Sequence, residues 1–304
     1  MKTISNCLSA QRYVKIFQSS RTYCVRQGGF RKSRLCSGPP KLRNLRTGLI
    51  ALLSSVGYGC NRMTANIGVS AQSEKKVAIV QSNYIPWKGY FDLINLVDEF
   101  ILYDDMQYTR RDWRNRNVIK TPNGPLWLTI PVDVKGKYLQ KIKDTTVSDP
   151  TWARKHWASI VHNYSKAKYF SQYRDLFENL YLHTEETMLS RINYGFLAAI
   201  CETLGIKTKI SWSMDYNPVA GKSERLVDLS KQAGATEYVS GPAAKDYLEE
   251  DLFRNEGIAL RYMDYSSYPE YNQLSPPFEH QVSIVDLIFN EGPEATNYMK
   301  SFQR

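Results

Sequence analysis

Two stretches of this 304-residue chain hold side chains of the kind that bind and activate anions. The first is YDDMQYTRRDWRNRN, residues 103 to 117, where Arg110, Arg111, Arg114 and Arg116 share a short run with Asp104, Asp105, Asp112, Gln107 and Tyr108. Guanidinium forks match the paired oxygens of phosphate and carboxylate. The adjacent aspartates could orient those forks or hold Mg²⁺, and an ordinary surface ion-pair network explains the same composition. The second is QSNYIPWKGYFDLI, residues 81 to 94, where Gln81, Ser82 and Asn83 precede an Ile-Pro turn and then Trp87, Lys88 and Gly89. Free N–H groups at a helix start favour an anion, and Lys88 adds a formal charge; Trp87 and Tyr90 suit packing equally well.

Two further segments have small and basic residues where a strand would end. In NPVAGKSERL, Gly221, Lys222 and Ser223 resemble the end of a phosphate-binding loop, but Tyr216 stands where the first glycine of G-x-x-x-x-G-K-[ST] belongs. An anion contact through Lys222 and a Ser223 cap remains. YVSGPAAKDYL adds Ser240, Gly241 and Lys245. His280 in PPFEHQVS is a possible proton acceptor, or a cap before the last helix. Asp286, within SIVDLIF, is expected to pair with an arginine or a backbone group.

Strand and helix signals alternate around these segments. KVAIVQ reads as a buried parallel strand, GYFDLINLVD as a helix and EFILYDD as a second strand. RNVIKT and LWLTIPV flank PNGP, a hairpin signal, and Asp149 with Pro150 predicts a helix start. Leu189, Ile192, Phe196, Ile200 and Leu204 keep helical spacing up to Gly205. KTKISWSM, TEYVSG and IALRYMDY then read as strands separated by the helices SERLVDLSKQAG and AKDYLEEDLFRNEG, and VSIVDLIFN as a last helix. The expected class is α/β: a mainly parallel, Rossmann-like sheet with helices on both faces, a β-hairpin and a helical insert. In such sheets ligands sit beyond the carboxyl ends of the strands.

Composition narrows the partners. The net charge of +10 comes from the leading segment, since residues 1–73 hold twelve of the 40 Lys and Arg and no Asp or Glu. From Glu74 onward 28 basic residues face 30 acidic ones, so no nucleic-acid partner is expected. Residues 1–74 read as a transit peptide or as an over-extended frame upstream of Met63, and residues 75–304 as a single α/β domain. LIALLSSVGYGC is short for a membrane span, so no direct span is expected; the expected location is cytoplasmic. Cys7, Cys24, Cys36 and Cys60 form no zinc spacing, and Cys201 reads as a buried hydrophobe. Neither a metal nor a cofactor is specified.

Taken with GKSERLVDLSKQAGATEYVSGPAAKDYL and FEHQVSIVDLIFNEG, residues 76–292 resemble the WbqC-like protein family. Members occur in bacterial O-antigen and surface-polysaccharide gene clusters, and glycine transfer to an amino sugar has been suggested for the family. The resemblance implies an acyl or aminoacyl transferase acting on an anionic, nucleotide-activated amino sugar. The arginine loop and Lys222 would then hold the diphosphate or donor, Gln81, Asn83 and Tyr84 would orient the sugar, and Asp105 or His280 would take the amine proton. Two alternatives stand beside it: ATP-dependent activation of a carboxylate or phosphate, or non-catalytic binding of a sugar nucleotide. The first alternative follows a fainter similarity to HUP-like nucleotidyltransferases, whose HxGH histidines correspond here to Trp87 and Tyr90.

Overall fold

Five short runs, rich in β-branched and aromatic residues, form one fully parallel sheet in the computed structural model, which describes residues 73–303. The strands are β1 (Lys76–Val80), β2 (Glu99–Leu102), β5 (Lys209–Trp212), β6 (Glu237–Ser240) and β7 (Ala259–Tyr262), in the order β5-β2-β1-β6-β7. β1 registers Val77 against Glu99 of β2 on one side and against Tyr238 of β6 on the other. The chain builds outward from β1 toward β5, then returns and builds the other way. A reversal of this kind, here between β1 and β6, is where α/β sheets take ligands.

Alternation along the strands divides the core. Ala78, Phe100, Leu102 and Val239 face a large cluster with Phe91, Phe196 and Phe289, while Val77, Ile79, Ile101 and Tyr238 face a second one with Leu226, Leu229 and Phe253. Side chains of period two must point to opposite faces, so a strand buried on both reads as a continuous apolar run. The first face carries α1 (Lys88–Leu96), α4 (Leu189–Thr203) and α7 (Ile284–Glu291); the second carries α5 (Ser223–Gln232) and α6 (Glu250–Asn255). Each fully buried aromatic here contributes about 1.5–3 kcal/mol of burial.

Between β2 and β5 the chain inserts an antiparallel hairpin, β3 (Arg116–Thr121) and β4 (Gly124–Thr129), then α2 (Trp152–Tyr164) and α3 (Phe170–Leu182) ahead of α4. The hairpin turn differs in detail from an Asn-Gly turn. Thr121 pairs with Gly124, so Pro122 and Asn123 are the connecting residues and Gly124, at φ 103°, starts the return strand. Proline presets the first turn position and glycine accepts the left-handed one. The insert begins later than Asp149 and Pro150 suggest: Thr151 is the N-cap of α2, and Asp149 accepts hydrogen bonds from its N–H (2.8 Å) and Oγ1 (2.6 Å). One predicted helix divides, because residues 242–246 form a 3₁₀ turn and α6 starts only at Glu250.

The expectations for residues 1–72 lie outside the described residues. Among the described residues no helix is long and apolar enough to cross a membrane. Cys201 is buried on α4, and burial pushes its thiol up to about 12.

Candidate functional site at the carboxyl edge of the sheet

The loop after β1 is pinned from three sides. Arg114 donates through Nη1 to the Gln81 carbonyl (3.2 Å) and to Asn83 Oδ1, and Tyr90 donates its hydroxyl to the same carbonyl at 2.9 Å. Asn117 Nδ2 donates to the Tyr84 carbonyl at 3.0 Å, and the Ile284 N–H to the Pro86 carbonyl at 2.9 Å. These bonds hold Ile85 at φ 35°, a strained conformation for a β-branched residue. The loop is therefore fixed in shape with Gln81 and Asn83 half-buried at its rim.

Its large residues have separate duties. Trp87 meets Tyr265 and Tyr268 of the segment after β7 edge-on, with ring centroids 5.2 and 5.5 Å away. A Cβ at residue 89 would come within 2.3 Å of the Trp87 ring, so glycine there is a packing requirement. Lys88 is buried, donating to the Pro269 carbonyl at 2.8 Å, with its ammonium 5.0 and 5.1 Å from the ring centroids of Tyr268 and Tyr271. Desolvation lowers its ammonium to about 8.

Tyr84 is fully buried and points into the insert. His156 Nε2 lies 3.2 Å from the Thr129 carbonyl and must carry the proton, so Nδ1 accepts from the Tyr84 hydroxyl at 2.9 Å. Tyr181 then donates to Tyr84 at 2.6 Å. Burial holds the imidazole neutral, at about 4.

The aspartate pair does not act as one. Asp104 is wholly buried toward α4, where it accepts from the Ser82 N–H (2.8 Å) and Ser190 Oγ, and burial raises its carboxyl above the usual range. Asp105 turns to the opposite face and accepts from Ser213 Oγ (2.6 Å) and from Arg225 of α5. Neighbouring residues leaving a strand diverge in this way, so the two carboxylates do not chelate one Mg²⁺ ion. Among the described residues no three His, Cys, Asp or Glu side chains are grouped to hold a metal.

The arginine loop also divides. Arg114 is buried as the clamp on Gln81 and Asn83, with Asp112 Oδ2 at 3.7 Å. Arg110, Arg111 and Arg116 instead line a cavity beside the hairpin with Tyr108, whose phenol burial pushes up to about 12. Gln107 is exposed and donates to the Tyr138 carbonyl at 2.9 Å.

On the α5 side, Lys222 is exposed and occupies the N-cap position, while Ser223 is buried in the first turn and accepts from the Glu249 N–H at 3.1 Å. Ser223 is thus a tie between α5 and the approach to α6, and not the expected cap. Ser240 and Gly241 leave β6 beneath Tyr238, whose hydroxyl is 3.5 Å from Ser240 Oγ, and Lys245 sits 5.1 Å over the Tyr262 ring. His280 is exposed against Phe278, with burial and the Lys88 ammonium lowering its pKa. Asp105 and His280 are held by different elements and share no contact. Asp286 pairs with no arginine: Tyr164 (2.7 Å), Tyr271 (2.8 Å), Gln273 (3.0 Å) and Asn290 (3.3 Å) all donate to it.

What meets at the carboxyl edge is a set that motif reading grasped only in part. Tyr103 and Asp105 leave β2, Arg225 reaches over from α5 with its guanidinium 5.8 Å from the Tyr103 ring, and Tyr262 ends β7. Burial raises the phenols of Tyr103 and Tyr262 to about 12, and Tyr247 adds to both shifts. Arg225 and Ser213 were not among the sequence candidates; their only signal was a basic residue in the first turn of α5 and a serine just past β5.

This architecture, a parallel sheet reversing beside its first strand with polar and aromatic groups at the carboxyl ends, defines a Rossmann-like α/β protein. The chain belongs to the WbqC-like protein family, whose model matches residues 81–298. It is 53% identical over 226 residues to an uncharacterised protein of Mycobacterium tuberculosis (strain ATCC 25618 / H37Rv), Rv1507c, a match spanning 74% of this chain and 98% of that protein. No solved structure matches the chain.

Proposed function

We propose that the protein is a transferase that binds a nucleotide-activated amino sugar at the carboxyl edge and passes glycine, or another small acyl unit, to the sugar amine in surface-glycan assembly. The observation that carries this reading is the grouping of Tyr103, Asp105 and Arg225 beyond the end of β2, with Tyr262 at the end of β7 on the other side of the β1/β6 reversal. Arg225 is the phosphate ligand and the tyrosines are stacking surfaces for base or sugar. Gln81 and Asn83, fixed by Arg114, contact the sugar hydroxyls.

Drawing Arg225 onto the diphosphate frees the Asp105 carboxylate, which then accepts the amine proton. The amine nitrogen attacks the donor carbonyl carbon, a C–N bond forms, and the donor's leaving group departs with its electron pair. His280 is the alternative proton acceptor. The reading requires a nucleotide-sugar pool and so a cytoplasmic location.

The test is mass spectrometry of UDP- and dTDP-amino sugars incubated with the chain and an activated glycine donor. Gain of one glycyl unit, lost in Asp105→Asn and retained in His280→Ala, supports the reading; no transfer with any acceptor overturns it. The strand order favours one second reading, ATP-dependent activation, because phosphates of nucleotides bind at such reversals. Release of pyrophosphate from ATP would decide for it.

A further inference from the structure

The two most exposed large apolar side chains among the described residues are neighbours. Tyr138 is 80% exposed and Leu139 77%, against 52% for the next, Val219. They lie in VDVKGKYLQK, residues 132–141, between β4 and α2. A single apolar side chain on a surface is ordinary, whereas an adjacent pair raised on a braced loop marks a contact. The Lys137 N–H donates to the Val134 carbonyl (3.3 Å) and the Gln140 N–H to the Lys137 carbonyl (3.2 Å), with Gly136 at φ 73° taking the left-handed position between them. The loop after β2 braces this turn: the Tyr108 N–H donates to the Gln140 carbonyl and Gln107 Nε2 to the Tyr138 carbonyl, both at 2.9 Å. The Tyr138 backbone is thus tied down while its ring stands in solvent.

The loop is also basic. Lys135, Lys137 and Lys141 are exposed, and Arg110 lays its guanidinium against the loop by donating to the Val134 carbonyl at 3.1 Å. Asp133, the one acid in residues 132–141, is paired with Lys137 at 2.6 Å. Four cations therefore face one carboxylate here, in a body where 28 basic residues face 30 acidic ones. Two apolar side chains fall far short of the ~800 Å² per partner that a stable protein interface buries. A bilayer asks for no matching shape: a tyrosine ring settles at head-group depth, a leucine reaches the acyl boundary, and nearby cations meet anionic lipid phosphates.

We infer that residues 132–141 dock the protein on an anionic phospholipid surface, with Tyr138 and Leu139 entering the interface and Lys135 and Lys141 meeting the head groups. The contact is peripheral, since two side chains reach the interface and no deeper. It does not depend on the transferase reading. Salt weakens the part due to the lysines and spares the part due to Tyr138 and Leu139.

Hydrogen exchange of the full chain, read by mass spectrometry with and without vesicles, tests the inference. The readout must be local, because the twelve Lys and Arg of residues 1–73 attract an anionic vesicle on their own. Residues 132–141 are expected to exchange more slowly with mixed phosphatidylglycerol and phosphatidylcholine vesicles than with phosphatidylcholine vesicles alone. Tyr138→Ser and Leu139→Ser remove only exposed side chains, so together they are expected to leave the unfolding midpoint unchanged and to abolish the slowing. Lys135→Gln and Lys141→Gln are each expected to raise the lipid concentration at half-slowing about fivefold in low salt. Slowing that is absent with the anionic vesicles, equal with phosphatidylcholine alone, or retained when Tyr138 and Leu139 are both replaced would overturn the inference. Slowing that follows protein concentration without lipid would overturn it in favour of an interface between copies of the chain.

Discussion

The two edges of the sheet treat a charged residue in opposite ways. At the amino edge Glu99, the first residue of β2, is 1% exposed and saturated: Lys75 (2.8 Å), Lys209 (2.9 Å), Ser211 (2.7 Å) and Tyr216 all donate to it. Burial opposes the charge, but these donors outweigh it and hold the carboxyl at about 2. At the carboxyl edge Asp105, three residues after β2 ends, has one hydroxyl, from the buried Ser213, and one guanidinium, from the half-buried Arg225, with Tyr103 for a neighbour. A saturated buried carboxylate locks strands together. One that a ligand can relieve of its arginine has chemistry left to do.

The largest effect that can break this comparison is at Glu99. Glu99→Ala removes the shared acceptor of two lysines, a serine and a tyrosine and is expected to reduce unfolding stability by about 2–3 kcal/mol in urea titration, with ligand affinity of the folded protein unchanged. Because the folded carboxyl titrates at about 2 and the unfolded one at 4.5, its contribution is present above pH 4.5 and lost as pH falls toward 2.

An effect of similar size lies in the insert, at His156 of α2. Its folded pKa of about 4 is below its unfolded 6.5, so the unfolded chain binds the extra proton and stability falls as pH drops from 6.5 to 4. The loss is about 3 kcal/mol in full, and acid titration of His156→Gln is expected to lack it.

Lys88 gives a smaller signature of the same sign in an alkaline window. Its folded pKa of about 8 against 10.5 unfolded makes stability rise with pH from 8, by about 1–2 kcal/mol up to pH 10, where tyrosine ionisation intervenes. Lys88→Met is expected to flatten that slope in pH-dependent denaturation. Arg225→Ala is expected to change stability least, by about 1 kcal/mol or less, since the pair it breaks is partly solvated.

Local patterns made the fold readable and long-range pairs did not. KVAIV, RNVIKT and the stripe from Leu189 to Leu204 ending at Gly205 carry their own period and stop signals, and the structure follows them. Within the helical insert, periodicity alone does not mark the breaks at Ser165 and His183. Among candidate site residues, spacing located the strand ends but not the directions taken there. Nothing in YDD states that Asp104 will face Ser190, 86 residues on, and Asp105 face Arg225, 120 residues on. Likewise the four arginines read as one cluster, and only the clamp on Asn83 separates Arg114 from the rest.

Ligand-induced stabilisation, measured side by side in variants of the two edges, tests the central claim most directly. UDP- and dTDP-linked amino sugars are added to the full chain, to Arg225→Ala and to Lys209→Ala, and the thermal midpoint is followed. A rise in the wild type and in Lys209→Ala, absent in Arg225→Ala, is the result expected of a site at the carboxyl edge. No rise in the wild type, or an equal rise in all three proteins, would contradict it.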